Sequence, residues 1–73
     1  MRLRYYQETD SLYIDLSAKT GVDSNEVAPG VVLDFDADGQ LVGIDIDDAS
    51  KIVDLSRLEA VELPVKGVSL TNP

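Results

Sequence analysis

The sequence predicts an α+β fold: a small antiparallel β-sheet of four to five strands followed by one short C-terminal helix. Short stretches of alternating apolar and polar residues recur through the first 46 positions. Turn-forming residues separate them at close intervals, as in successive antiparallel strands. The helix-start signal comes late, at Asp47-Asp48-Ala49-Ser50. Seventy-three residues make one domain, expected over residues 1–63, with 64–73 a poorly ordered tail.

Leu3 to Tyr6 reads as the first strand, with Leu3 and Tyr5 on one face and Arg4 and Tyr6 on the other. The polar run Gln7 to Ser11 makes a turn. Leu12 to Leu16 is the second strand, in which Leu12, Ile14 and Leu16 alternate with Tyr13 and Asp15. A loop with Gly21 follows, then a short strand over Asn25–Ala28 stopped by Pro29-Gly30. Val31–Phe35 and Leu41–Ile46 form a hairpin around Ala37-Asp38-Gly39, a three-residue loop that needs Gly39 in the left-handed region. Asp36 then faces Gln40, Phe35 faces Leu41, Asp34 faces Val42 and Leu33 faces Gly43. That register puts Val31, Leu33, Phe35 and Leu41 on one face and Val32, Val42, Ile44 and Ile46 on the other. A sheet with two apolar faces must be covered twice, and one helix covers only one of them. A second copy of the chain is therefore the expected partner. The glycine at 43 leaves room for a tyrosine ring, since strand glycines permit close approach.

Asp47 or Asp48 is placed to cap the helix. The helix runs either as one piece from about Asp48 to Ala60, or as a short helix, a break near Asp54 and a second turn that Asp54 itself caps. Val61-Glu62-Leu63 leads into Pro64, which disfavours a helical residue before it.

Composition narrows the function. Six basic and fourteen acidic residues leave a net charge of −8, which repels phosphate backbones and anionic lipid; nucleic-acid and membrane partners are not expected. The chain has no Cys and no His, removing disulfides and the usual zinc and iron ligands, and no cofactor motif is present. No apolar run approaches the roughly 20 residues that span a bilayer, and the N-terminus lacks the layout of a signal peptide. A bacterial cytoplasmic protein is the expectation.

The densest chemistry lies in Asp34-Phe35-Asp36-Ala37-Asp38-Gly39 with Asp45 beyond it. Asp34, Asp36, Asp38 and Asp45 occupy the first, third, fifth and twelfth positions of a calcium loop, with Gly39 at the sixth. Against this stand Val42 at the ninth position, a short Asp at the twelfth, and flanks that read as strands. In the expected register Asp45 also lies on the face opposite Asp34 and Asp36. A hairpin turn with solvated carboxylates is the simpler reading, and Ca2+ or a small ligand at hairpin 34–45 is the alternative. Asp36, Asp38, Asp45, Asp47 and Asp48 are candidates for contacting a basic protein. Paired carboxylates could also do acid–base work in a cleft, but no serine has a histidine base or a recognisable lysine motif, so an enzyme has little support. Tyr5, Tyr6 and Tyr13 are expected to pack across the sheet or in a dimer seam.

Tyr6 to Asp10, Leu12-Tyr13-Ile14, Glu26-Val27 with Pro29-Gly30-Val31, the hairpin from Asp34 to Ile44, and Asp48-Ala49-Ser50-Lys51 follow one another in an order that resembles domain-of-unknown-function family 2283. The resemblance covers about Leu3 to Lys51. Gln7 stands where the family pattern usually has Asp, and Asp45 where it has Glu; neither departure disturbs a sheet. The resemblance implies a small antiparallel sheet with a C-terminal helix, and no activity. It also implies pairing with a small toxin-like protein, which would make this acidic chain an antitoxin-like partner; no functional residue is carried over.

Overall fold

Five strands and one helical turn succeed one another in this computed structural model, which describes residues 1–71. They are β1 (Arg2–Tyr6), β2 (Ser11–Asp15), β3 (Asp23–Ala28), β4 (Val31–Phe35), β5 (Leu41–Ile46) and α1 (Ala49–Ile52). Every pairing is antiparallel, and the strand order is β1-β2-β5-β4-β3. The expected α+β architecture is present. The last two residues of the tail expected over 64–73 lie outside the described residues.

The β4–β5 loop closes as the turn chemistry requires. Asp36 and Gln40 face each other, with the Asp36 N–H donating to the Gln40 carbonyl at 2.9 Å, and Gly39 takes φ +77°. Phe35 pairs with Leu41 as expected, but the register then shifts: Asp34 pairs with Gly43 rather than Val42, and Leu33 with Ile44 rather than Gly43. Val42 is the extra residue of a β-bulge. Because side chains alternate, a one-residue shift carries everything beyond it to the other face. Ile44 and Ile46 therefore join Val31 and Leu33, and the expectation of two apolar faces is corrected to one.

The bulge is held from outside the hairpin. Leu16 donates its N–H to the Val42 carbonyl at 2.9 Å, and Val22 to the Phe35 carbonyl at 2.8 Å. The intervening loop lays Gly21 against Val42 and Asp34, which leaves Val42 only 3% exposed.

Two paired rows make the apolar face: Leu3–Ile14–Ile44–Leu33 and Tyr5–Leu12–Ile46–Val31. The helical turn covers one corner of it. Ala49, fully buried, meets Leu12 and Ile46, with Ile14, Ile44 and Val53 packed around them.

Of the two expected forms, the structure has the short helix with a break near Asp54, and not the helix to Ala60. It ends at Ile52; Val53 is extended, and Asp54 holds the following turn by accepting the Ser56 N–H at 3.0 Å. The apolar residues beyond Ile52 are spread around a helical wheel, so no single stripe rewards further winding. The cap is also not the expected one. Asp48 occupies the N-cap position with a left-handed backbone (φ +50°) and makes no side-chain cap bond. Asp10, forty residues away, takes the role: its carboxylate accepts the Ser50 N–H at 3.1 Å and the Ser50 hydroxyl at 2.6 Å, and its carbonyl accepts the Ala49 N–H at 2.8 Å.

Candidate functional site

The opposite face of the sheet is polar, and its rows are Arg4–Tyr13–Asp45–Val32–Glu26 and Arg2–Asp15–Gly43–Asp34–Ser24. Its centre is Tyr13. With only hydrogen on Gly43, the Tyr13 ring lies directly over that backbone: a Cβ there would stand 2.1 Å from the phenol oxygen and 2.7 Å from Cζ. The ring thus reaches diagonally across β5, and its hydroxyl donates to Asp34 at 2.8 Å. The other Asp34 oxygen accepts the Ser24 hydroxyl at 2.7 Å, tying β3, β4 and β2 together. Arg4 stands 5.4 Å from the ring centroid and pairs with Asp15 at 3.1 Å, a cation over an aromatic face held by a carboxylate.

These contacts explain the local electrostatics. The hydrogen bond to Asp34 is the main reason the Tyr13 phenol is pushed up to about 12; burial and the Asp34 and Asp15 charges add to it, while Arg4 opposes it. The Asp45 carboxyl is raised from its ordinary value, first by burial and then by the charges of Asp47 and Asp34. A phenol held neutral beside a committed carboxylate binds by hydrogen bonding and does not supply a nucleophile. An open depression of about 460 Å3 lies here, lined by Arg4, Tyr13, Asp15, Lys19 and Asp45 among others. Its mixed charges and shallow form favour no one ligand class.

One titration reads the network directly. As pH rises, Tyr13 should ionise well after an ordinary tyrosine, near 12 rather than 10.0. Because its folded value is raised, its contribution to stability is complete below pH 10.0 and is lost as pH climbs towards 12. Absorbance of tyrosinate near 295 nm should show a late step that Tyr13→Phe removes. An unchanged profile in that variant would contradict the arrangement.

The acids singled out by sequence do not form one patch. Asp36 is 7% exposed. Its Oδ1 accepts the N–H groups of Asp38 and Gln40, both at 2.9 Å, so it is an element of the turn. Its Oδ2 has no hydrogen-bond partner; the Lys19 ammonium stands 3.9 Å away. Asp38 is exposed at that hairpin tip, whereas Asp47 and Asp48 are exposed beyond the far end of β5. Asp45 is half-buried between them, on the polar face.

The calcium-loop geometry also needs one correction. The bulge places Asp45 on the same face as Asp34, not the opposite one. Three of the loop's oxygens are nevertheless committed: both of Asp34 accept, from Tyr13 and Ser24, and Asp36 Oδ1 accepts from its own turn. Among the described residues no group of three or more potential ligands is close enough to hold a metal ion.

Arg4, Tyr13, Asp15 and Ser24 escaped the sequence reading as a constellation. The alternation of Arg4 with Leu3 and Tyr5, and of Tyr13 and Asp15 with Ile14, was the available signal. It needed the β2–β5 pairing, a contact between distant segments, to become a site.

Comparison with known proteins agrees with the extent of the folded part. A family model described as protein of unknown function (DUF2283) matches residues 2–50, from the start of β1 to Ser50, the residue Asp10 holds. No curated protein and no solved structure matches the chain. Among the described residues no helix is long and apolar enough to cross a membrane.

Proposed function

We propose that this chain, which belongs to the DUF2283 family of unknown function, is a non-enzymatic interaction module that works as a homodimer, its apolar sheet face turned to a second copy. The observation that carries this is the incompleteness of the core. One helical turn covers a corner of the apolar face, and Leu3 and Leu41 remain 43% and 39% exposed. Among the described residues no large side chain is fully buried. A domain this small gains little from so thin a core, and a second apolar face is the simplest remedy.

Leu3→Glu together with Leu41→Glu should weaken self-association at least tenfold while the circular dichroism spectrum is retained. Tyr6→Glu, on the polar face, should leave it unchanged. Equal behaviour of the two sets in sedimentation equilibrium would remove the apolar face from the interface.

The acidic exterior is offered in the same reading to a small basic protein, in an antitoxin-like role in the cytoplasm. Its exposed contacts are Asp38 at one end of β5 and Asp47 and Asp48 at the other, with half-buried Asp45 on the polar face near the latter. Reversal at Asp36 would break the turn, so the informative variant is Asp38→Lys with Asp47→Lys. A basic protein retained at low salt by the unaltered chain should be lost with that variant, because the attraction is between surface charges. Retention by both would exclude these acids from the contact.

A further inference from the structure

We infer that residues 54–71 are a clasp for a second copy, crossing the partner's apolar sheet face; the inference rests on the homodimer reading and says what completes the seam. After Val53 the chain carries Leu58, Val61, Leu63, Val65, Val68 and Leu70, all exposed, Leu70 to 85%. This segment is as rich in aliphatic side chains as the sheet, yet contains neither helix nor strand. It also lies wholly outside the family match, which ends at residue 50. The family's sheet is complete without it, so the segment is an addition with apolar surface to bury.

Area and shape indicate where it is buried. The chain exposes 6050 Å2, whereas a folded monomer of 7.9 kDa exposes about 4,400 Å2. The excess, roughly 1,600 Å2 per chain, would give roughly 3,200 Å2 for a pair, within the range of obligate homodimers. The radius of gyration is 13.1 Å, against about 11 Å for a compact domain of this length. Both values exceed those of a compact domain of this length, and the tail's Val61, Val68 and Leu70, at 69%, 74% and 85% exposed, keep most of their surface to bury.

Its path is set by turns and not by packing. Asp54 accepts the Ser56 N–H, Glu62 takes φ +55°, and Val65 donates to the Leu63 carbonyl across Pro64 at 2.8 Å. A left-handed glutamate is unusual and persists where surroundings hold it; a partner's sheet would supply such surroundings. Reach is ample. Extended, the tail spans about 60 Å, while five strands side by side measure about 20 Å.

The chain contains no cysteine, so a single introduced thiol carries one label without ambiguity. Val68→Cys bearing a nitroxide, mixed in equal amount with isotope-labelled unaltered chain, should broaden the amide signals of Ile14, Leu33 and Ile44 in the unaltered copy at least twofold. Leu63→Ser with Val65→Ser, in the full chain, should raise the dimer dissociation constant at least tenfold. Broadening seen only when nitroxide and isotope share one chain would mean that the tail folds back on its own sheet, and would overturn the clasp. A dimer with no broadening, or an unchanged dissociation constant, would overturn it while leaving the homodimer in place. A chain that stays monomeric at every concentration would overturn both.

Discussion

Gly43→Ala should destabilise the fold by about 2 kcal/mol, the size expected when a well-packed site is forced to take an extra carbon. For a domain of this length that lowers the melting temperature by roughly 8–16 °C. The clash is specific. The new Cβ would meet the Tyr13 phenol oxygen at 2.1 Å and the ring carbon behind it at 2.7 Å, and β5 is a central strand that cannot yield. The ring must swing away, breaking its bond to Asp34 and leaving Arg4 without its aromatic face. Gly43→Ala in a Tyr13→Ala background should cost much less than in the unaltered chain, because the obstructing atoms are gone. Thermal denaturation of the four proteins measures that coupling. Additive losses would contradict the stacked geometry.

Asp10→Ala should lower the melting temperature by roughly 5–10 °C, as loss of a helix cap in a domain this small requires. One carboxylate accepts from Ser50 twice and from Tyr5 once, so its removal frees both the helical turn and the β1 edge. Asp10 also holds φ +52°, a conformation that Asn tolerates better than Ala. Asp10→Asn should therefore lose less, which separates the acceptor role from the backbone role. The pH dependence has a definite sign. The Ser50 and then the Tyr5 hydrogen bonds lower the Asp10 value below 3.8, so the contribution is present above that pH and disappears as pH falls through the depressed folded value. The unaltered chain and Asp10→Asn should converge in stability in strong acid and diverge at neutrality. A constant gap at all pH values would mean that the Asp10 charge takes no part.

Much of the fold is legible in local signals. Pro29-Gly30 and Ala37-Asp38-Gly39 mark their turns, and the alternation around Tyr13 assigns its strand. Gly43 reads correctly as space for a tyrosine ring. What local signals miss is decided between distant segments. The bulge at Val42 depends on the loop after β2, through Leu16 and Gly21; with it come the faces of Ile44, Asp45 and Ile46. The helix cap is misassigned because Asp47 and Asp48 are nearest in sequence, while Asp10 is nearest in space. The same cause hides the polar site: Tyr13, Asp34 and Ser24 meet only once β2, β5, β4 and β3 are ordered side by side. The acidic hairpin is conspicuous in sequence because three aspartates alternate there. One of them, Asp36, builds the turn, and another, Asp34, accepts the bonds that join the strands.

If a second copy covers the apolar face, the mass of the protein in solution must show it. Sedimentation equilibrium of the unaltered full chain should return about twice 7.9 kDa at micromolar concentration, shifting towards the monomer only on strong dilution. A mass of one chain across the whole accessible concentration range would contradict the claim.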